Sequence, residues 1–283
     1  MHRLTRVLAL LAAVAMTGGE ALAFDDALYP DLRGQWHRLP TPGVRGQPSF
    51  DPSKASGRAQ QAPFTPEYQK IFEASLADQD AGGHGLQRGW SCRTSGMPIM
   101  MTLFEPMEVV VLPHTTYILI DQYNTQRRIF TDGRDWPRTI EPSYIGTSIG
   151  KWIDEDGDGR YDVLEVETRG FKGPRGLDAT GLPLHEDNQS VVRERIYVDK
   201  ADKNILHDQI TVIDHAFTRP WTVVKNYRRE DNPRPVWIEW ICAEGQSQVQ
   251  IGKDNYFLSA DGLLMPARKG QQPPDLKYFN VKN

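Results

Sequence analysis

The chain has 283 residues, 39% of them hydrophobic and 25% charged, with 33 Lys plus Arg against 37 Asp plus Glu and a net charge of −4. That length buries a sizeable core, as one large domain or one domain with appendages. A mildly acidic surface of mixed sign gives no footprint for nucleic acid or for an anionic membrane.

Met1–Arg6 carries two arginines, Val7–Met16 is an apolar run, and Ala21-Leu22-Ala23 offers a small-x-small cleavage pattern before Phe24. Together these predict an export signal over residues 1–23. The run is short for a bilayer span, and no later stretch approaches the roughly 20 apolar residues that a membrane helix needs. The expected product is therefore periplasmic or secreted, with no integral membrane segment. In an oxidising compartment Cys92 and Cys242, the two cysteines, can pair as a disulfide across the fold; two buried free thiols are the alternative.

Residues 24–63, rich in Pro, Gly, Arg and Gln, predict an extended N-terminal arm. Thr65 as N-cap, Pro66 at the first helical position and Glu67 in the first turn predict a helix over 66–77. Tyr68, Ile71, Phe72 and Leu76 form its apolar face. From Glu108 onward, short runs rich in Val, Ile, Thr, Tyr and Trp recur between turn signals. Nine strands are predicted, from Glu108–Leu112 and Thr115–Gln122 through Val191–Asp199 to Val236–Ala243. Short links such as Pro113-His114 and Asn124-Thr125 favour antiparallel hairpins. Such a meander removes its edges by closing into a barrel or a strongly curved sheet. The expected fold is all-β, a mainly antiparallel domain over 64–246 that includes the helix, with a polar 247–283 tail packed on it.

Ser148–Phe171 holds the strongest motif. Asp154, Asp156 and Asp158 stand at positions one, three and five of a loop, Gly159 at six, Asp162 at nine and Glu165 at twelve. A hard cation takes six to eight oxygens, with a glycine where the chain turns, so the ladder suits calcium. Flanking strands, in place of the helices of a switching EF-hand, make a structural ion the expectation; a solvated acidic turn is the alternative. Glu165 is the weakest ligand of the set, because strand geometry can carry it away from the loop.

Arg128 and Arg134 flank the turn at Asp132-Gly133 and could present a cationic wall to a carboxylate or phenolate. The plainer reading has Asp132 capping the turn. His185, in the polar loop 181–187, sits beside acidic residues and suits general acid–base work, with Asp132 and Asp214 as fellow candidates. No histidine pairs with another at metal-ligand spacing. No G-x-S-x-G elbow, Gly-rich phosphate loop or H-E-x-x-H occurs, which leaves hydrolase-elbow, nucleotide and zincin chemistry without support. Trp136, Trp152, Trp221 and Trp237, with Tyr117, Tyr197 and Tyr227, crowd the strand region and either fill a small barrel or line an apolar cavity. Arg128, Arg134, His185 and Trp221 are the candidate ligand contacts.

Ordered strings add a resemblance. Arg128-Ile-Phe-Thr-Asp-Gly-Arg134, Gly146-Thr-Ser-Ile-Gly-Lys-Trp152, Leu164-Glu-Val-Glu-Thr-Arg-Gly-Phe171 and Ala216-Phe-Thr-Arg-Pro-Trp-Thr222 resemble a family of exported, mostly uncharacterised bacterial β-rich proteins. The contexts of Cys92 and Cys242 match it too, over roughly residues 60–245. The resemblance implies a lipocalin-like architecture and carries no activity. A short turn usually joins two of the family's strands where this chain has Ile153–Tyr161, so the acidic ladder is its own elaboration. The family's Pro-His-Ser appears here as Leu184-His185-Glu186.

The leading expectation is an exported barrel that binds a small organic ligand in an apolar, aromatic-lined cavity, with calcium stiffening the 154–165 hairpin. One rival is a cofactor-free lyase, isomerase or hydrolase using the same cavity. The other is a structural or partner-binding envelope protein, suggested by the long arms.

Overall fold

Residues 25–87, 94–102, 104–238, 248–251, 254–259 and 263–272 are described in the computed structural model of the chain. Side chains that alternate between apolar and polar build its main sheet, because successive residues of a strand point to opposite faces. The strands are β1 (Gln35–Arg38), β2 (Met107–Leu112), β3 (Thr115–Ile120), β4 (Thr125–Phe130), β5 (Thr147–Ile153), β6 (Val163–Arg169), β7 (Val191–Val198), β8 (Ile205–Ile213) and β9 (Trp221–Arg229). They form a closed barrel in chain order, sealed by antiparallel pairing of β9 with β1.

Every neighbouring pair is antiparallel except β4 and β5, which run parallel through Ile129↔Ser148 and Phe130↔Ile149. A ring of strictly alternating strands needs an even number. Nine strands close only with an odd number of parallel joints, here one, and the crossover 131–146 provides the long connection such a joint requires.

The all-β expectation holds, with a single α-helix among the described residues. Helix α1 spans Pro66–Asp80, ending beyond the predicted Ala77, and Thr65 Oγ1 accepts the Tyr68 N–H at 3.4 Å as its cap. The arm and the last strand differ from expectation. Gln35–Arg38, read as part of the arm, is a stave of the barrel. Its Trp36 is fully buried and pairs with Met107 on one side and Arg229 on the other. A four-residue strand in a Pro- and Gly-rich context shows too little alternation to be recognised, and its partners lie far along the chain. Val236–Ile238, expected to begin the last strand, is irregular. The rest of Val236–Ala243 lies outside the described residues, as do residues 1–23, Cys92 and Cys242. The tail also carries more order than its polarity suggests. Within it β10 (Gln248–Ile251), β11 (Asp254–Leu258) and β12 (Leu264–Pro266) form a small antiparallel sheet.

The hairpin connections sort the loops onto two ends. One end carries the β2–β3 turn, the acidic loop 154–162 and the β7–β8 turn. The other carries the β6–β7 connection 170–190, the β8–β9 connection 214–220 and α1, whose Phe72 packs with Phe64 and, through it, with Phe217. Between the ends, Ile118, Ile120, Ile129, Leu164, Val192, Ile196, Leu206, Ile210 and Val212 are buried on the inward face. Among the described residues no helix is long and apolar enough to cross a membrane.

Candidate functional site

The inward alternation that buries Val192 and Ile196 also buries Glu194, and the same parity turns Arg127, Asp208 and Lys225 into the lumen. Arg127 reaches Glu194 with both prongs: Nη1 donates to Oε1 at 2.8 Å and Nη2 to Oε2. Nε donates to Ser148 Oγ at 3.2 Å and Nη2 to Thr168 Oγ1 at 2.9 Å, so four of the five guanidinium N–H groups are engaged. Lys225 Nζ donates to Phe50 O at 2.7 Å and Thr102 Oγ1 at 3.0 Å. Tyr227 OH donates to Met101 O at 2.7 Å. These last contacts fasten the 49–51 and 97–102 segments across the end of the barrel.

Asp208 is different. Both of its carboxylate oxygens are buried without a hydrogen-bond partner among the described residues. Burial, reinforced by the nearby Glu194, pushes its carboxyl well above the usual range, while burial pushes Lys225 down to about 8. Alternation in the sequence marks these four residues as inward charges, and that was the signal available for finding them. Their meeting across the lumen was not.

A cleft of about 810 Å³ lies along the outer face of β5–β8. Cross-strand register lays its floor in rows: Lys151 opposite Glu165 and Glu165 opposite Arg195, then Ile149 opposite Glu167 and Glu167 opposite Arg193. Arg195 Nη1 donates to Glu165 Oε1 at 2.6 Å and Arg193 Nε to Glu167 Oε2 at 2.8 Å. Lys151 is exposed and forms no ion pair among the described residues, so the floor has a cation in surplus. Arg134 joins the rim, with Tyr29, Trp152 and Tyr161 at the end of the cleft. Those three rings pack together, Tyr29 edge-on to Trp152 at 5.3 Å and 5.0 Å from Tyr161.

Of the residues singled out from sequence, Arg134 lines this cleft and Arg128 does not. Arg128 is exposed on the outer face of β4, over the Tyr117 ring at 5.3 Å. Asp132 accepts from Arg134 Nε at 2.8 Å, and that hydrogen bond holds its carboxyl down to about 2. So acidic a group is a weak base. Trp221 is buried at the other end, 4.8 Å from the Phe50 ring, as packing. Asp214 and His185 do meet there: Asp214 Oδ1 accepts the His185 N–H at 2.8 Å and the Ala216 N–H at 2.9 Å.

In the acidic loop, Asp154, Asp156 and Asp158 offer oxygens within 4.8 Å of one another. Asp154 accepts the Gly157 N–H at 2.7 Å and the Gly159 N–H at 2.9 Å, with both glycines at positive φ. Asp162 turns back to accept the Glu155 N–H at 2.9 Å. Glu165 lies on β6, engaged by Arg195. The carboxylates of Asp154, Asp156 and Asp158 are the ones grouped to hold a cation.

No known family model matches this chain, and no curated protein is significantly similar to it in sequence. The family resemblance therefore rests on its motifs alone.

Proposed function

We propose that the chain is an exported β-barrel protein that binds a small organic anion in the outer cleft. One observation carries this reading: the combination of volume and charge on β5–β8. About 810 Å³ falls within the range of ligand pockets, roughly 300–1,000 Å³. Its floor holds Lys151 in surplus over the paired Glu165–Arg195 and Glu167–Arg193 rows, and its end is walled by aromatic rings. An anion takes Lys151 and Arg134, and an apolar body lies against Tyr29 and Tyr161. In this reading the ligand binds outside the lumen, whose aliphatic lining also carries Arg127, Glu194, Asp208 and Lys225.

Native mass spectrometry of protein purified from its host tests the proposal. A retained small anion, lost in Lys151→Glu, is the expected outcome. A bare chain mass in every preparation, with no calorimetric uptake of aromatic carboxylates, would sink it. In the same proposal residues 1–23 direct export, and calcium held by Asp154, Asp156 and Asp158 stiffens the β5–β6 hairpin. A melting temperature unchanged between calcium and chelator removes the ion from the proposal.

A second reading, a lyase or isomerase, has Asp208 in its favour. Burial raises this carboxyl's hold on its proton, and such a group is a candidate to exchange one. Its test is whether any turnover found for the chain disappears in Asp208→Asn.

A further inference from the structure

The β6–β7 connection carries His185 and Asp187, and the β8–β9 connection brings His215, 28 residues beyond Asp187, up to them. His185, Asp187 and His215 each offer a donor atom within 4.8 Å of the other two. We propose that they form a binding site for a divalent transition metal of the zinc class, at the barrel end opposite the acidic loop.

The donor set comes first. Two imidazole nitrogens and one carboxylate oxygen suit a borderline cation, whereas calcium and magnesium prefer oxygen alone. Three protein ligands leave one tetrahedral position for water or a small ligand.

The geometry supplies an independent argument. His215 Nδ1 lies 2.6 Å from Asp187 Oδ2, and His185 Nδ1 lies 3.1 Å from the same oxygen. The Asp187 N–H also donates to His185 Nδ1, at 3.2 Å. One carboxylate oxygen thus faces a ring nitrogen of each histidine, an arrangement in which a cation can take the place of the bridging protons.

Metal bonds of about 2.0–2.2 Å at tetrahedral angles bring donors to roughly 3.3–3.6 Å apart. The present separations, 2.6 Å and 3.1 Å about Asp187 Oδ2, lie close to that spacing. The backbone is meanwhile held. Buried Asp214 accepts the N–H of His185 and of Ala216, so one carboxylate ties down the chain at both histidines. Ser190 Oγ donates to its second oxygen. The Tyr68 ring packs against His185 at 5.1 Å, and Tyr68 OH accepts the Glu186 N–H at 3.1 Å. A frame held in this way suits a preorganised metal site.

Zinc calorimetry and cobalt absorption on the full chain test the proposal, with wild type beside His215→Ala, Asp187→Ala and Asp156→Asn. His215 has a side chain 68% exposed, so its removal leaves the metal-free melting temperature unchanged. The expected result is one zinc per chain and the visible bands of tetrahedral cobalt. Affinity falls by about tenfold or more in His215→Ala and Asp187→Ala, at least the scale of losing an outer-shell partner. Asp156→Asn, in the distant acidic loop, binds as wild type does. Absence of zinc uptake overturns the proposal, as does wild-type affinity in both His215→Ala and Asp187→Ala.

Discussion

Arg127 and Glu194 meet inside the barrel as a two-pronged ion pair, both side chains fully buried, though 67 residues separate them. Two ions taken out of water cost several kcal/mol each, and only near-ideal geometry with every other donor satisfied offsets that. Ser148 and Thr168 take two further donors of Arg127. Removing one partner strands the other. Glu194→Ala or Arg127→Ala should each destabilise the chain by about 3–5 kcal/mol, read as a lower urea midpoint at unchanged slope. Arg127→Met with Glu194→Met together should cost less than either single change.

Asp208 predicts a pH dependence. Its folded pKa lies above its unfolded value, so between the two values the native state holds more protons than the unfolded one. Stability therefore falls as pH rises through that window, starting near pH 4 where an unfolded aspartate titrates. Lys225 is displaced the other way, down to about 8, so it adds stability as pH rises from about 8 toward its unfolded value near 10.4. Urea denaturation from pH 4 to 8 should show the fall in wild type and a flatter profile in Asp208→Asn.

The two arginines of the Asp132 turn separate cleanly. Arg134 lines the cleft and Arg128 stacks on Tyr117 away from it. Arg134→Ala should weaken uptake of a small anion by about tenfold, equivalent to ~1.4 kcal/mol, while Arg128→Ala leaves it unchanged. Calorimetry with one ligand across the three proteins reads the difference; equal losses would move the binding site off the cleft.

Gly146 opens β5 at φ +76°, and a Cβ there would stand 2.6 Å from the Phe171 ring and 2.7 Å from Arg169 O. Backbone strain and overlap act together. Gly146→Ala should lower stability by about 1–3 kcal/mol, visible as a reduced melting temperature. The effect belongs to the β5–β6 hairpin, because Arg169 ends β6 and Phe171 follows it.

Tyr227→Phe tests how the barrel end is fastened. Losing the hydroxyl leaves Met101 O buried without its donor, at a cost of about 1–3 kcal/mol. Amide exchange in the 97–102 segment should rise in the variant, with the strands unaffected.

Much of the architecture was legible in local pattern. Alternation in β7 put Val192, Glu194 and Ile196 on one face, and the Thr65-Pro66-Glu67 start signal located α1, because propensity and period-two burial act over a few residues. The acidic loop was legible for the same reason, since its aspartates are close along the chain. Closure was not. β1 is four residues long, and only Met107 and Arg229 on either side make it a stave. Functional geometry depended on tertiary structure still more. The Arg127–Glu194 pair, the burial of Asp208 beside them and the approach of His215 to His185 and Asp187 arise from contacts between loops and strands distant along the chain. The sequence by itself determined which residues face inward and where the chain turns. Only closure of nine strands, with one parallel joint, decided which of those residues meet, because the register around a barrel is set by all its neighbours at once.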